Sequence, residues 1–136
     1  MKKYFQGKDN DCLTAVLATM FQIDPAGIPF FFETKDPQAN YEKWLFDMFG
    51  ISIVAFDYDK GRPRIPKVYN KKYYCIGTLK HEAKKYSHAV VLCCDYTKEG
   101  TVVHIAHDPM ADTCYSIDDL IGIEFLVGFK DELNKG

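Results

Sequence analysis

The spacing of apolar residues changes part-way along the chain. After the polar run Lys8, Asp9, Asn10 and Asp11, the residues Leu13, Ala15, Val16, Leu17, Ala18, Met20 and Phe21 follow at helical spacing. Asp9, Asn10 and Asp11 are side chains that cap helix N-termini, so a first helix is predicted with Cys12 in its opening turn. Pro25 and the segment Gly27, Ile28, Pro29 stop that helix, because proline lacks the amide a helix needs. Phe30, Phe31 and Phe32 must then be buried or cover a groove, as an apolar wall of a cleft. A second helix is predicted over 40–49, with Tyr41, Trp44, Leu45 and Met48 on one face and Gly50 at its end.

From residue 51 onward the pattern becomes that of strands. Segments 51–57, 72–78, 88–95, 101–107 and 123–129 are rich in β-branched and aromatic residues. A loop closed by Pro63 and Pro66 fills 59–66, and 116–121 reads as a short helical turn. Helices first and antiparallel strands afterwards define an α+β domain, with the N-terminal helices packed on an antiparallel sheet. The length of 136 residues suits one hydrophobic core, and 1–136 is read as a single domain.

Composition and charge narrow the function. Acidic and basic residues are interleaved to a net charge of -2, which leaves no broad cationic face for a phosphate backbone, so no nucleic-acid partner is expected. No apolar h-region follows Met1 and no apolar run approaches the roughly 20 residues of a membrane span, so neither secretion nor membrane insertion is expected. The cysteines, Cys12, Cys75, Cys93, Cys94 and Cys114, lack CxxC spacing and lie mostly in apolar segments, which points to a reducing, cytoplasmic setting. A zinc site drawn from Cys93, Cys94, His104, His107 and Cys114 is disfavoured, because strand neighbours at odd separation point to opposite faces. Neither a metal nor a cofactor is expected.

One constellation carries chemistry. The first turn of a helix favours negative charge, which suits Cys12 as a nucleophile, although the carboxylate of Asp11 opposes it. His88 and His104 both open onto or lie within apolar strand segments. If 96–100 is a hairpin loop, Asp95 faces Thr101, and counting back pair by pair sets His88 opposite Asp108. Directly opposed residues share a face with Cβ atoms about 4.5–5.5 Å apart, close enough for a carboxylate to hold an imidazole N–H. A loop one residue shorter or longer sets His88 opposite His107 or Pro109 instead. Pro109 favours Asp108, since it lacks a ladder donor and ends the strand there.

Gln6, then Cys12 after five intervening residues, then His88-Ala-Val-Val and His107-Asp108-Pro109, in this order, resemble the double-glycine leader peptidases of bacteriocin exporters. The same residues resemble small papain-like proteins common in bacteriophage genomes. Leu13 stands where the leader peptidases usually carry glycine, a position at which the phage-type relatives accept other residues. The resemblance implies a papain-like fold, with Cys12 as nucleophile, His88 as base and Asp108 orienting the histidine. It also implies that Gln6 supplies a side-chain N–H to an oxyanion hole beside the Cys12 backbone N–H.

The function expected on this basis is a cysteine hydrolase, a peptidase or amidase that forms a thioester on Cys12, with a peptide, isopeptide or small amide as substrate. Two alternatives stay open: an acyltransferase with the same triad, and a catalytically idle fold that binds or sequesters a partner, as a phage accessory protein does.

Overall fold

The computed structural model describes residues 2–7, 11–59, 65, 71–81, 87–110 and 115–128. Helix α1 (Cys12–Phe21) is followed by 3-10 turns at Pro25–Gly27 and Phe31–Glu33 and by helix α2 (Pro37–Phe49). Strands β1 (Ile51–Asp57), β2 (Lys72–Leu79), β3 (His88–Thr97) and β4 (Gly100–His107) come next, then a 3-10 turn at Ile117–Asp119 and strand β5 (Leu120–Gly128). The strands form one sheet in the order β1-β5-β2-β3-β4, with every pairing antiparallel. The expected α+β class is the class observed.

Helix α1 begins at Cys12 because Asp11 accepts the Thr14 N–H at 2.7 Å, one of the orphan amides of the first turn. Asp9 and Asn10, the other expected caps, lie outside the described residues. Pro25 is not what ends α1. Gln22 does so, in a left-handed conformation at φ 55, while its side chain clasps Lys2 through bonds of 2.9 and 2.8 Å. Every residue from Leu13 to Thr19 is buried, as expected of a helix that is apolar on all sides. Leu13, Val16, Leu17 and Ala18 pack with Ile76 and Val91 of the sheet and with Phe31, Tyr41 and Leu45. The opposite sheet face gathers Cys75, Leu79, Val90, Leu92, Cys94, Leu120 and Ile123.

Helix α2 starts three residues earlier than expected, at Pro37, whose fixed φ and missing amide suit a first helical turn. Gly50, at φ 66, ends it as expected. Met48 is exposed and does not belong to the buried face; Phe49 packs inward instead, stacked on Phe21 at 4.3 Å between centroids. The helical turn expected over 116–121 is shorter, since Leu120 and Ile121 already belong to β5.

The β3–β4 hairpin differs from its expected register. Its turn is the two residues Lys98 and Glu99, so Asp95 faces Val102 rather than Thr101. An irregularity between Val91 and Leu92 then shifts the pairing again, so that Val91 faces His107. The extra residue, Ala106, places His104 and His107 on the same side of the sheet, against the expectation from their odd separation.

Gly77 marks the tightest approach within the sheet. A Cβ built there would lie 2.7 Å from Leu92 Cδ1 and Cγ, and Leu92 is fully buried. Gly77→Ala should therefore cost about 1–3 kcal/mol of stability, read as a lower urea midpoint at unchanged slope.

Candidate active site

Three elements converge on one point: the start of α1, the start of β3 and the exit of β4. Cys12 is half-buried at the first, and His88, only 4% exposed, is the first residue of β3. The His88 ring is hydrogen-bonded to Asp108 and interacts electrostatically with the Cys12 thiol. Its Nε2 donates to Asp108 Oδ1 at 2.6 Å, since an ionised carboxylate only accepts. Nδ1 is then the nitrogen left for the thiol. Tyr115 stacks on the imidazole at 5.1 Å and 20°.

The His88–Asp108 contact arises by a different route from direct opposition. With Val91 facing His107, Asp108 lies beyond the paired residues of β4 and reaches His88 from outside the ladder. Its Oδ1 also accepts the Met110 N–H at 2.9 Å, which fixes the carboxylate across Pro109. The N-terminal segment anchors this exit. His107 Nε2 donates to Tyr4 O at 2.6 Å, the Gln6 N–H donates to Pro109 O at 2.9 Å, and the Tyr4 N–H donates to Thr19 of α1 at 3.0 Å.

Opposing influences act on His88. Burial pushes its pKa down, and the interactions with Cys12 and Asp108 together outweigh burial and hold it above its ordinary value. The backbone of Gln6 is brought beside the Asp108–Pro109 turn, and its side-chain Oε1 is buried with no partner among the described residues. Asp108 Oδ2 is likewise buried and unpaired. Gln6 is not among the described residues lining the cavity beside Cys12 and His88.

That cavity, of about 140 Å³, is lined by Cys12 and His88 together with Phe31, Phe32, Tyr41 and Glu124 among others. Phe31 is buried and Phe32 is exposed, so the phenylalanine run both fills the core and forms the cleft wall. The Tyr41 hydroxyl donates to Glu124 Oε1 at 3.4 Å. Burial first, and the charge of Glu42 in addition, raise the Glu124 pKa; the Tyr41 hydroxyl pulls the other way. Sequence reasoning missed Glu124 and Tyr115. Glu124 had a signal, since it is the single charged residue in β5; Tyr115 had none.

Cys93, Asp95 and His104 bring ligand-type atoms within 4.8 Å of one another. The hairpin register gathers this trio on one face, towards the opposite end of β3 from His88, with Asp95 joining Cys93 and His104 of the disfavoured zinc set.

The fold and site thus define an α+β domain in which a half-buried cysteine and a histidine held by an aspartate line one cavity. Compared with known proteins, the chain matches no family model, no curated protein and no solved structure.

Because the His88 pKa is raised in the folded state, the stability its pairing contributes is complete below the ordinary value of about 6.5 and is lost as pH rises through the raised value. Asp108→Asn should lower the His88 pKa by about 1 pH unit or more, followed by NMR titration of the imidazole nitrogens. An unchanged titration would show that the carboxylate does not hold the ring's charge.

Proposed function

We propose that this chain is a papain-like cysteine hydrolase, acting on a peptide or other amide by acyl transfer through Cys12. The observation that carries this reading is that Cys12 and His88 line one cavity, with the His88 ring held by Asp108 at 2.6 Å. In the mechanism, His88 Nδ1 accepts the thiol proton as the Cys12 sulfur attacks the substrate carbonyl. Asp108 steadies the imidazolium through Nε2–H. The imidazolium then gives its proton to the leaving amine, and water, deprotonated by the same nitrogen, releases the acid from the thioester.

The developing oxyanion needs donors. The Cys12 N–H lies in the first turn of α1, where amides have no acceptor within the helix, and the Gln6 side-chain N–H is the second donor in this proposal. Support for Gln6 is its anchoring at Pro109, which ties it to the same turn as Asp108. A cytoplasmic setting fits the free thiols of Cys12, Cys75, Cys93 and Cys94, among which Cys75 and Cys94 sit 3.7 Å apart and unjoined. No single helix among the described residues is long and apolar enough to cross a membrane.

Site-resolved iodoacetamide labelling tests the nucleophile. Cys12 should label about tenfold faster below pH 7 in the wild type than in His88→Ala. Equal, slow labelling in both proteins would sink the catalytic reading. With p-nitrophenyl acetate as a generic acyl donor, Cys12→Ala should abolish turnover. Gln6→Ala should lower kcat by about 100-fold while leaving iodoacetamide labelling fast, because an oxyanion donor acts on the carbonyl and not on the thiol.

A further inference from the structure

The cavity beside Cys12 has one chemically distinct group in its wall. Phe31, Phe32, Leu13 and Ala89 make it apolar, and Glu124 from β5 places a carboxylate in it. A second groove, of about 300 Å³, shares Thr78 and Glu124 with this cavity and carries Asp57 from β1 on its far side. Glu124 therefore stands where the two depressions meet, with a second carboxylate beyond it.

The partners of Glu124 do not account for its charge. Its hydrogen bond is to a neutral phenol, Tyr41, at 3.4 Å, and the nearby charge acting on it is another carboxylate, Glu42. Among the described residues the ion pairs are Lys43 with Asp47, His88 with Asp108 and His104 with Asp95, so none of them neutralises Glu124. A partly buried carboxylate without a cation is costly, and a ligand that brings one relieves the cost. The aliphatic and aromatic walls suit the methylene stem of a long side chain whose charged end reaches the carboxylate.

We infer that Glu124 is the specificity carboxylate of this cleft, receiving the cationic end of a lysyl or arginyl side chain of a peptide whose carbonyl lies at Cys12. The inference rests on Cys12 being the reacting thiol. Glu124 binds substrate and takes no part in the bond-making step. Tyr41 positions it from α2, and the shared groove gives the rest of the peptide a path towards β1.

Charged thiol reagents test the assignment without a known substrate. Aminoethyl methanethiosulfonate and sulfonatoethyl methanethiosulfonate react alike: the Cys12 thiolate attacks the sulfenyl sulfur, a disulfide forms and methanesulfinate leaves. They differ in carrying an ammonium or a sulfonate on a short stem. Rates at Cys12 are read by peptide mass spectrometry on the full chain at pH 8, each divided by the rate with the uncharged methyl reagent on the same protein. The cation-to-anion ratio should exceed one in the wild type, fall about tenfold in Glu124→Gln and fall further in Glu124→Lys. Glu124→Gln retains an acceptor for the Tyr41 hydroxyl, and taking the ratio of two rates on one protein removes any general change in Cys12 access. A ratio identical in all three proteins, with Cys12 reacting readily, overturns the assignment of Glu124 and leaves the nucleophile standing. A Cys12 inert to these reagents and to iodoacetamide overturns both.

Discussion

The site depends on how α1 is seated against the sheet. Leu13, Val16 and Leu17 are buried against Val91 and Ile76, and each such side chain contributes on the order of 1.5–3 kcal/mol when fully removed from water. That packing fixes both the axial position and the rotation of the helix. Cys12 is the residue just before the buried stretch, so its position follows from the seating of the residues after it. His88 is fixed in the same way by β3, whose interior residues Val90 to Cys94 are all buried. The thiol and imidazole meet because two apolar elements pack, with little freedom left for either polar group to choose its own place.

The histidine in turn sets the electrostatics. A buried imidazole with no partner loses its charge, and here Cys12 and Asp108 reverse that tendency. The Asp108 carboxylate is supplied from beyond the paired part of β4. Its position is secured by the Met110 amide, by buried Pro109 and by the N-terminal segment, which is bonded to His107, Pro109, Thr19 and Gln22. The first residues of the chain thus act as a strap between α1 and the β4 exit, holding nucleophile and carboxylate in one frame.

The cleft has an uneven character. The 3-10 turn at Phe31–Glu33 and the face of α2 that carries Tyr41 close one side with aromatic rings, stiffened by the contact of Trp44 with Phe31 at 5.8 Å. The sheet side contributes Thr78 and Glu124. An apolar wall facing a carboxylate discriminates among ligands by both length and charge, which a wholly apolar cavity does not do.

What the sequence determined by itself was local. Asp11 before an apolar helical run placed the start of α1 at Cys12, Gly50 ended α2, and the apolar strand segments emerged as β1 to β5 with small changes at their ends, because capping, glycine conformation and side-chain alternation act over a few residues. The grouping of Cys12, His88 and Asp108 was also foreseen, although the hairpin register offered for it was not the one formed. Only the tertiary structure decided how the three meet. A two-residue turn and an extra residue at Ala106 lie within a tolerance no single-sequence pattern resolves, and each moves the ladder by one position. The strap, the Tyr115 stack and the acid at the cleft junction depend on residues far apart in sequence, such as Tyr41 and Glu124, being brought together by burial of both sheet faces. Such pairings have no local signature, because they are set by the packing of whole elements and not by the residues' neighbours in the chain.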